Sequence, residues 1–439
     1  MSHFPKMCCL RNAIMMKTNR KVIKLVPYED ALKRLSSIFY NRSPKYEIVS
    51  VNNALGHILA EDIFTNINVP ENNISLVDGF ALKCEDTFTA SLEKPVKLRV
   101  IGKLYPWSKT SDINISSGQA CYVTCGAPIP GGANAVVKIE NAILYGEEIE
   151  LKHRVKPWEN ICLAGEDMKA GTLITRKGEF LRPQDIGVLA GLGIKKVKVF
   201  RKPKVAIIST GDEILERSKR DPEAIANNYA LIISGLISKI GGEPIISDIA
   251  PDDITEIKRK IGKALEEADI VVTIGGCSLG EKDFVPDAVN SLGEPGVILH
   301  GVMIKPGKVS GFGMIGNKPI VMLPVLFAST LVGFYLILVP TMCLYMGLRR
   351  NSLLLKVNAK ISQDKQADRR PYHEFLPVCL RSSDEGLIAE PVMNGPASLS
   401  RFMKANGFIL LPPRRDLKKG EYVSVTLFSS DELFRIMLA

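Results

Sequence analysis

The stretch Lys204–Ser209 reads KVAIIS and residues 269–274 read DIVVTI, and these two runs decide the fold. Such a continuous apolar run is typical of a strand that is buried on both faces of a parallel sheet. Amphipathic helices are predicted at residues 229–240 and 254–268, and a further strand at residues 244–249. Strands that alternate with helices in this way predict a doubly wound parallel sheet.

The flanking sequence predicts β-rich modules on both sides of this α/β domain. Residues 53–154 are rich in Gly, Pro and Asn, and from about residue 351 we expect strands and no helix. Short helices are expected at residues 26–37, opened by Pro27, and at residues 183–193, which end in glycine. The predicted strands of the flanking modules are residues 96–101, 119–124, 135–139, 353–359, 408–411 and 422–428. The expected fold class is therefore multidomain α/β plus β.

The composition excludes several classes of protein. The chain has 439 residues, of which 46% are hydrophobic and 24% charged, and this excludes wholesale disorder, collagen-like repeats and coiled-coil rods. The formal net charge of +10 is a mild bias over this length. The densest basic run, residues 195–204, contains a single aromatic residue and is typical of a strand with a solvated face. We therefore expect small anionic substrates and no nucleic acid.

Cysteine and histidine spacing argues against a zinc site. The nine cysteines include no CxxC pair, and the five histidines show neither HExxH nor HxH spacing. Reduced thiols are expected instead. The N-terminal residues lack an apolar run of signal-peptide length because Lys6 and Arg11 interrupt it, so a cytoplasmic protein is expected.

One long uncharged segment, residues 319–348, requires an explanation. The 15 residues between Pro324 and Pro340 would form a helix of about 22 Å. That length is shorter than the roughly 30 Å hydrocarbon core of a bilayer, so a buried core helix is expected and no membrane span. Tyr335 and Val339 are expected to pack against protein.

Three acidic turns follow the predicted parallel strands, at the edge where open α/β sheets bind their ligands. They read TGDE at residues 210–213, PDD at residues 251–253 and GGCSLGEKD at residues 275–283, and KPGK at residues 305–308 adds two cations. Glycine turns and helix N-termini suit phosphate, and carboxylates suit Mg²⁺. Taken singly, each has a simpler structural interpretation: Asp252 and Asp253 as helix caps, Asp212 and the glycine pair as turn residues, the lysines as solvated charges. No Walker P-loop or GxGxxG occurs, so ordinary nucleotide-binding interpretations are weak.

An ordered series of motifs resembles one known family. Residues 77–81 (VDGFA) resemble MDGYA, residues 126–130 with 133–140 resemble TGAPxPxGADAVVxxE, and residues 165–167 match a family GED. Residues 209–213, 275–283, 300–308 and 405–407 complete the series. The family is that of the molybdopterin molybdenumtransferases (MoeA), which includes the C-terminal domain of gephyrin. The resemblance runs in order from about residue 24 to 429.

The resemblance implies an elongated homodimer that inserts molybdate, or tungstate, into adenylylated molybdopterin with Mg²⁺ present and AMP released. It implies a catalytic and metal-binding carboxylate set formed by Asp78, Glu213, Asp252 and Asp283. It implies a substrate-binding set in which glycines and a serine hold the pterin phosphate and lysines and serines hold the oxyanion. That set is Gly275, Gly276, Ser278, Lys305, Lys308, Ser329 and Ser400.

With the family as a guide, five segments are expected. They are an N-terminal extension without stable order (1–20), an elongated linking domain (21–52 with 155–200), a β-rich inserted domain (53–154), a doubly wound molybdopterin-binding domain (201–350) and a C-terminal β-barrel-like domain (351–439).

The chain departs from the family where an anion-binding loop is expected. The usual LPGNPVS is LPVLFAS here, so Val325, Leu326 and Phe327 replace Gly, Asn and Pro. Further departures are Cys125, Ala226, Ile274, Cys277 and Val339, and all of them lose polar or special-backbone groups. Two functions therefore remain open: a working transferase with a remodelled loop, and a divergent paralogue that binds molybdopterin or acts as a scaffold.

Overall fold

The structure is a computed structural model that describes residues 14–17, 22–40, 42–109, 113–220, 227–350, 352–392, 399–433 and 436. The chain forms two compact units, Met1–Glu47 with Phe200–Ala439, and Ile48–Val199. Each unit is described by itself below. The finer division into five segments stays a prediction.

A six-stranded sheet forms the centre of the first unit. Its strand order is Glu243–Ile246, Lys204–Ser209, Ile270–Ile274, Lys318–Leu323, Gly311–Ile315 and Pro295–His300. The first four strands run parallel, Gly311–Ile315 runs in the opposite direction, and Pro295–His300 pairs antiparallel with it and so runs in the direction of the first four. The predicted doubly wound sheet is therefore confirmed, with two strands added at one edge by antiparallel pairing.

Helices cover both faces of this sheet. Ala206 and Ile208 pack with Ile257 and Ile261 in one core. Val205 and Ile207 alternate with them and are fully buried, so they belong to the opposite face. The helices around the sheet are Asp212–Arg220, Asn228–Lys239, Ile254–Glu267 and Val285–Leu292, with Tyr28–Phe39 from the N-terminal part. The helix Tyr28–Phe39 is preceded by an antiparallel strand pair, Ile14–Lys17 with Val22–Leu25.

The long apolar segment is a core helix. It comprises Phe327–Gly333, a π-helical turn at Phe334–Leu338, and Val339–Tyr345. Its composition and length would fit a membrane, but 94% of its most apolar window is buried inside the protein. Tyr335 and Val339 are buried as predicted, and the Tyr335 hydroxyl donates a hydrogen bond to the Phe428 carbonyl at 3.0 Å. These contacts favour the core-helix interpretation over a membrane span.

The C-terminal residues of the same unit close into a five-stranded barrel. Its strands are Lys356–Ile361, His373–Ser383, Gly386–Pro391, Gly407–Leu411 and Tyr422–Leu427. The barrel closes because His373–Ser383 pairs with both Gly386–Pro391 and Gly407–Leu411. Strand Ile304–Lys305 adds to it by parallel pairing with His373–Ser383. The expectation of an all-β segment was wrong in one detail, because Leu399–Lys404 is a short helix.

The second unit is β-rich, as expected. Its largest sheet has the order Ala142–Tyr145, Glu148–Leu151, Val96–Leu104, Gln119–Val123, Gly79–Leu82 and Ala135–Lys138. Two small pairs add Ile161–Cys162 with Ile74–Ser75 and Leu173–Thr175 with Ile63–Phe64. The helix Pro183–Gly191 begins at its predicted proline. The chain passes between the units within Tyr46–Ser50 and Lys196–Phe200.

Candidate functional site

The predicted rim lies at the carboxyl end of two adjacent parallel strands. Ser209 and Ile274 are register partners, so the turns that follow them start side by side. The first turn is shorter than predicted, because a helix already begins at Asp212. Its N-terminal amides and positive dipole end therefore lie at the rim, where they favour anionic ligands.

The glycine turn after Ile274 presents backbone amides to a cleft. Gly275 and Gly276 have φ angles of +97° and +63°, and a Cβ on either would lie within 2.9 Å of Thr210. Glycine is therefore required here for both conformation and space. Within the described residues, the amides of Gly276 and Ser278 donate to no protein acceptor. Unpaired amides in such a turn form a ready site for a phosphate oxygen.

A cleft of about 410 Å³ opens beside this turn. It brings together six predicted residues: Gly276, Ser278, Asp283, Lys305, Lys308 and Ser329. Gly275 is the first residue of the turn, and its amide donates a hydrogen bond to the Leu323 carbonyl. A volume of this size is typical of a site for a small organic ligand.

The cations of the cleft come from two segments. Lys305 Nζ lies 2.7 Å from Asp368 Oδ2, and Arg370 Nη2 lies 2.6 Å from the same oxygen. Hydrogen bonds from Arg370 and Lys305 hold the pKa of the Asp368 carboxyl far below its usual range. Lys308 is exposed and lines the same cleft. Arg370 was not predicted, because it lies in the C-terminal segment and carries no local motif.

Two acidic residues pair at the rim. The Asp252 amide donates to Asp212 Oδ1 at 3.1 Å, and the Asp212 amide donates to Asp252 Oδ2 at 3.4 Å. Lys282 Nζ lies 2.8 Å from Asp212 Oδ2. Partial burial raises the pKa of Asp252, and the nearby carboxylates of Asp212 and Glu213 add to that rise. The sequence left open whether Asp212 is an acidic group of the rim or only a turn residue, and its pairing with Asp252 makes it part of the rim.

The structure shows which of two adjacent aspartates caps the helix that follows them. Asp253 Oδ1 accepts from the amides of Thr255 at 2.9 Å and Glu256 at 3.0 Å, so Asp253 is the N-cap of helix Ile254–Glu267. Asp252 has no such bond and is directed to Asp212 instead. Asp283 accepts from the Gly280 amide at 2.6 Å within the cleft wall.

The altered loop separates two clefts. Val325 and Leu326 are 42% and 55% exposed, and they line both the first cleft and a second one of about 390 Å³ that contains Glu213. The backbone here has no need of glycine, because Val325 is not among the described residues with positive φ. Leu326 is the N-cap of helix Phe327–Gly333 without a side-chain cap bond. The loop therefore lines both clefts with apolar side chains, at positions where the family motif has Gly and Asn.

Two predicted residues lie elsewhere. Asp78 belongs to the second unit, where its Oδ1 accepts from the Cys125 amide at 2.7 Å. Ser400 lies in helix Leu399–Lys404, and its side chain lies outside the described residues, as does Ala226.

The residues present suit Mg²⁺ in a limited way. In the part of the chain that the structure describes, no three His, Cys, Asp or Glu side chains come together around one point. Mg²⁺ needs only one or two protein carboxylates when phosphate oxygens complete its shell. The Asp212–Asp252 pair meets that need, whereas the four-carboxylate set stays a prediction.

Comparison with known proteins gives one consistent answer. Family profiles match residues 26–193 as "MoeA N-terminal region (domain I and II)", residues 206–343 as "Probable molybdopterin binding domain" and residues 361–428 as "MoeA C-terminal region (domain IV)". The molybdopterin molybdenumtransferase of Staphylococcus epidermidis is 31% identical over 386 residues, covering 87% of this chain and 91% of that protein. The one of Bacillus subtilis is 29% identical over 422 residues, covering 92% and 95%.

A solved structure agrees over nearly the whole length. The crystal structure of a molybdopterin biosynthesis MoeA protein from Pyrococcus horikoshii superposes with a TM-score of 0.78 at 36% identity, covering 93% of this chain and 100% of that one. The glycine turn, the cation-lined cleft and the acidic rim thus lie in the segment matched as a molybdopterin-binding domain and in the barrel beside it. The chain belongs to the MoeA family of molybdopterin molybdenumtransferases, whose work is the biosynthesis of the molybdenum cofactor.

Proposed function

We propose that this chain inserts molybdate, or tungstate, into adenylylated molybdopterin and releases AMP in an Mg²⁺-dependent reaction. The observation that carries the proposal is the cleft itself, which is lined by Lys305, Lys308 and the turn whose Gly276 and Ser278 amides have no protein acceptor among the described residues. Amides in a glycine turn suit a phosphate group, and lysines suit a second, separate anion. A substrate phosphate and an oxyanion need such a double site.

Each rim residue has a proposed task. Gly275, Gly276 and Ser278 bind the phosphate of the pterin, and Lys305, Lys308, Ser329 and Ser400 bind the oxyanion. Asp252 and its partner Asp212 bind Mg²⁺, with Glu213, Asp283 and Asp78 as further acidic groups of the reaction. Mg²⁺, when bound, supplies positive charge next to the phosphoanhydride. A homodimer in the cytoplasm is proposed as the working form.

The reaction is tested with the purified full-length chain. Adenylylated molybdopterin is mixed with molybdate and Mg²⁺, and AMP is measured by chromatography. The proposal predicts AMP release that requires all three components and stops when EDTA is added. The absence of AMP release from a folded, dimeric protein would contradict the proposed reaction.

A second function is favoured by one specific observation. The exposed apolar side chains of Val325 and Leu326 line the cleft where the family carries Gly and Asn. A divergent paralogue that binds molybdopterin, or acts as a scaffold, performs no transfer. It therefore does not need the polar groups of the family loop, and apolar side chains can replace them.

The loop can be reverted without disturbing the core. Val325→Gly with Leu326→Asn changes two exposed residues, whereas Phe327 is kept because its ring packs against Tyr229 and Phe402 at 5.4 and 5.3 Å. The paralogue hypothesis predicts AMP release from the double variant and none from the parent. Strong activity of the parent would reject that hypothesis.

A further inference from the structure

Asp368, Lys305 and Arg370 form an ionic cluster at the cleft. Arg370 donates from Nε to Asp368 Oδ1 at 3.0 Å and from Nη2 to Asp368 Oδ2 at 2.6 Å. Lys305 Nζ donates to Oδ2 at 2.7 Å, and the Arg370 amide donates to Oδ1 at 3.0 Å. One carboxylate therefore fixes two cations that come from positions 65 residues apart in the sequence.

The carboxylate and its partners face different surroundings. Lys305 and Arg370 line the cleft, and Asp368 does not. The Asp368 side chain is 14% exposed, whereas those of Lys305 and Arg370 are 46% and 61% exposed. Asp368 occupies the Nε–Nη2 edge of the guanidinium, and within the described part of the chain no protein acceptor binds its other N–H groups. Tyr372, which also lines the cleft, lies under the guanidinium, with 5.5 Å from Cζ to the ring centroid.

The cluster is not needed to join the barrel to the doubly wound domain. Strand Ile304–Lys305 already pairs with strand His373–Ser383 through backbone hydrogen bonds. Ion pairs whose cations are half exposed to solvent contribute little to stability. A purely structural function would therefore be redundant.

We propose that Asp368 is a positioning residue that holds Lys305 and Arg370 in the cleft wall as a paired site for a tetrahedral dianion. The inference rests on the proposed function, since it takes the cations of the cleft wall as part of the oxyanion site and adds Asp368 as the group that orients Lys305 and Arg370. Two cations held a fixed distance apart lose little side-chain freedom when the dianion binds.

The test measures molybdate and tungstate binding to the full-length dimer by isothermal titration calorimetry. Asp368→Asn keeps the shape and removes the charge, and we expect about tenfold weaker binding, as for other groups that orient binding residues. Asp368→Glu restores the charge and is expected to recover part of the affinity. In the AMP assay, Asp368→Asn should raise the KM for molybdate and leave kcat close to that of the parent.

A matched control lies on the same segment. Asp416 pairs with Arg369 at 3.2 Å and accepts from the Ala367 amide at 2.7 Å, and neither Asp416 nor Arg369 lines the cleft. Asp416→Asn should leave dianion binding unchanged.

The outcomes separate this inference from the proposed reaction. A parent that binds neither dianion overturns the inference, as does an Asp368→Asn variant with parental affinity or an Asp416→Asn variant with an equal loss. A parent that binds molybdate and loses affinity on Asp368→Asn, yet releases no AMP, supports the inference and sinks only the proposed reaction.

Discussion

Two aspartates at opposite ends of the same parallel sheet have opposite environments. Asp269 precedes strand Ile270–Ile274, and its carboxylate accepts from Arg201 at 2.5 Å, from Tyr345 at 2.7 Å and from the Lys204 amide at 3.0 Å. Burial alone would raise the pKa of Asp269, but these hydrogen bonds outweigh it, and the pKa is lowered. The negative charge at this end is fully compensated.

The carboxyl end of the sheet is arranged differently. Asp252 lies beside Asp212, and burial with like charge raises its pKa. The amides of Gly276 and Ser278 have no protein acceptor among the described residues. The comparison teaches that one end of the sheet stabilises the fold and the other is left incomplete for a ligand.

The largest expected effect concerns the incomplete end. Asp252→Asn should lower the rate of AMP release about 10³-fold, or about 4 kcal/mol, because a carboxylate of the proposed Mg²⁺ site is lost. The melting temperature should stay the same or rise, since the variant removes a carboxylate crowded by Asp212 and Glu213. Both are measured on one preparation, by chromatography and by scanning calorimetry. An active variant, or one that melts well below the parent, would break the comparison.

The reverse pattern is expected at the compensated end. Asp269→Asn should cost about 3 kcal/mol of unfolding free energy, because Arg201 and Lys45 lose their shared, buried counter-charge. Urea unfolding measures the loss, and the folded variant should retain its AMP release.

The charge of Asp269 also makes the stability of the protein depend on pH. Because the pKa of Asp269 is lower in the folded protein than in the unfolded chain, its stabilisation is complete above about pH 4 and disappears as the pH falls below that. An Asp269→Asn variant should therefore differ from the parent at pH 7 and converge with it in acid. A constant difference at all pH values would contradict the ionic explanation.

A smaller effect is expected in the acid limb of the activity. If ionised Asp252 is required, activity is lost as the pH falls through its raised pKa. Asp212→Asn lowers the activity itself, because Asp212 is a proposed Mg²⁺ ligand, and the acid limb of the remaining kcat/KM should move to lower pH because one neighbouring charge is removed. An unchanged limb, or one that moves to higher pH, would show that Asp212 does not set the titration of Asp252.

The smallest effect separates two adjacent residues. Asp253→Ala removes the cap of helix Ile254–Glu267 and should cost about 1 kcal/mol of stability without affecting AMP release. Thermal unfolding and the AMP assay measure the two quantities. A loss of activity comparable to that of Asp252→Asn would remove the distinction between them.

Local patterns predicted most of the fold and part of the site. The apolar run Lys204–Ser209 gave the strand with its observed bounds, because burial on both faces leaves a signal in consecutive residues. The glycines at 275 and 276 could be placed because their backbone conformation restricts the residue type.

Contacts between residues that are far apart in the sequence could not be predicted from local patterns. Nothing near Arg370 indicates that Asp368 meets Lys305, since barrel closure and strand pairing bring them together. Asp252 and Asp253 are chemically identical, and only the direction of each side chain decides which one caps the helix. The short helix Leu399–Lys404 was missed for a similar reason, since it follows a barrel strand and has no clear periodic pattern.

The central claim is that the chain is a working transferase in spite of its apolar loop. The most direct measurement is AMP release from adenylylated molybdopterin by the parent chain, with molybdate and Mg²⁺, next to the Val325→Gly/Leu326→Asn variant. Our account predicts turnover by the parent that depends on molybdate, with the variant within about tenfold of it. A silent parent beside an active variant would contradict the account and assign the chain to the paralogue hypothesis.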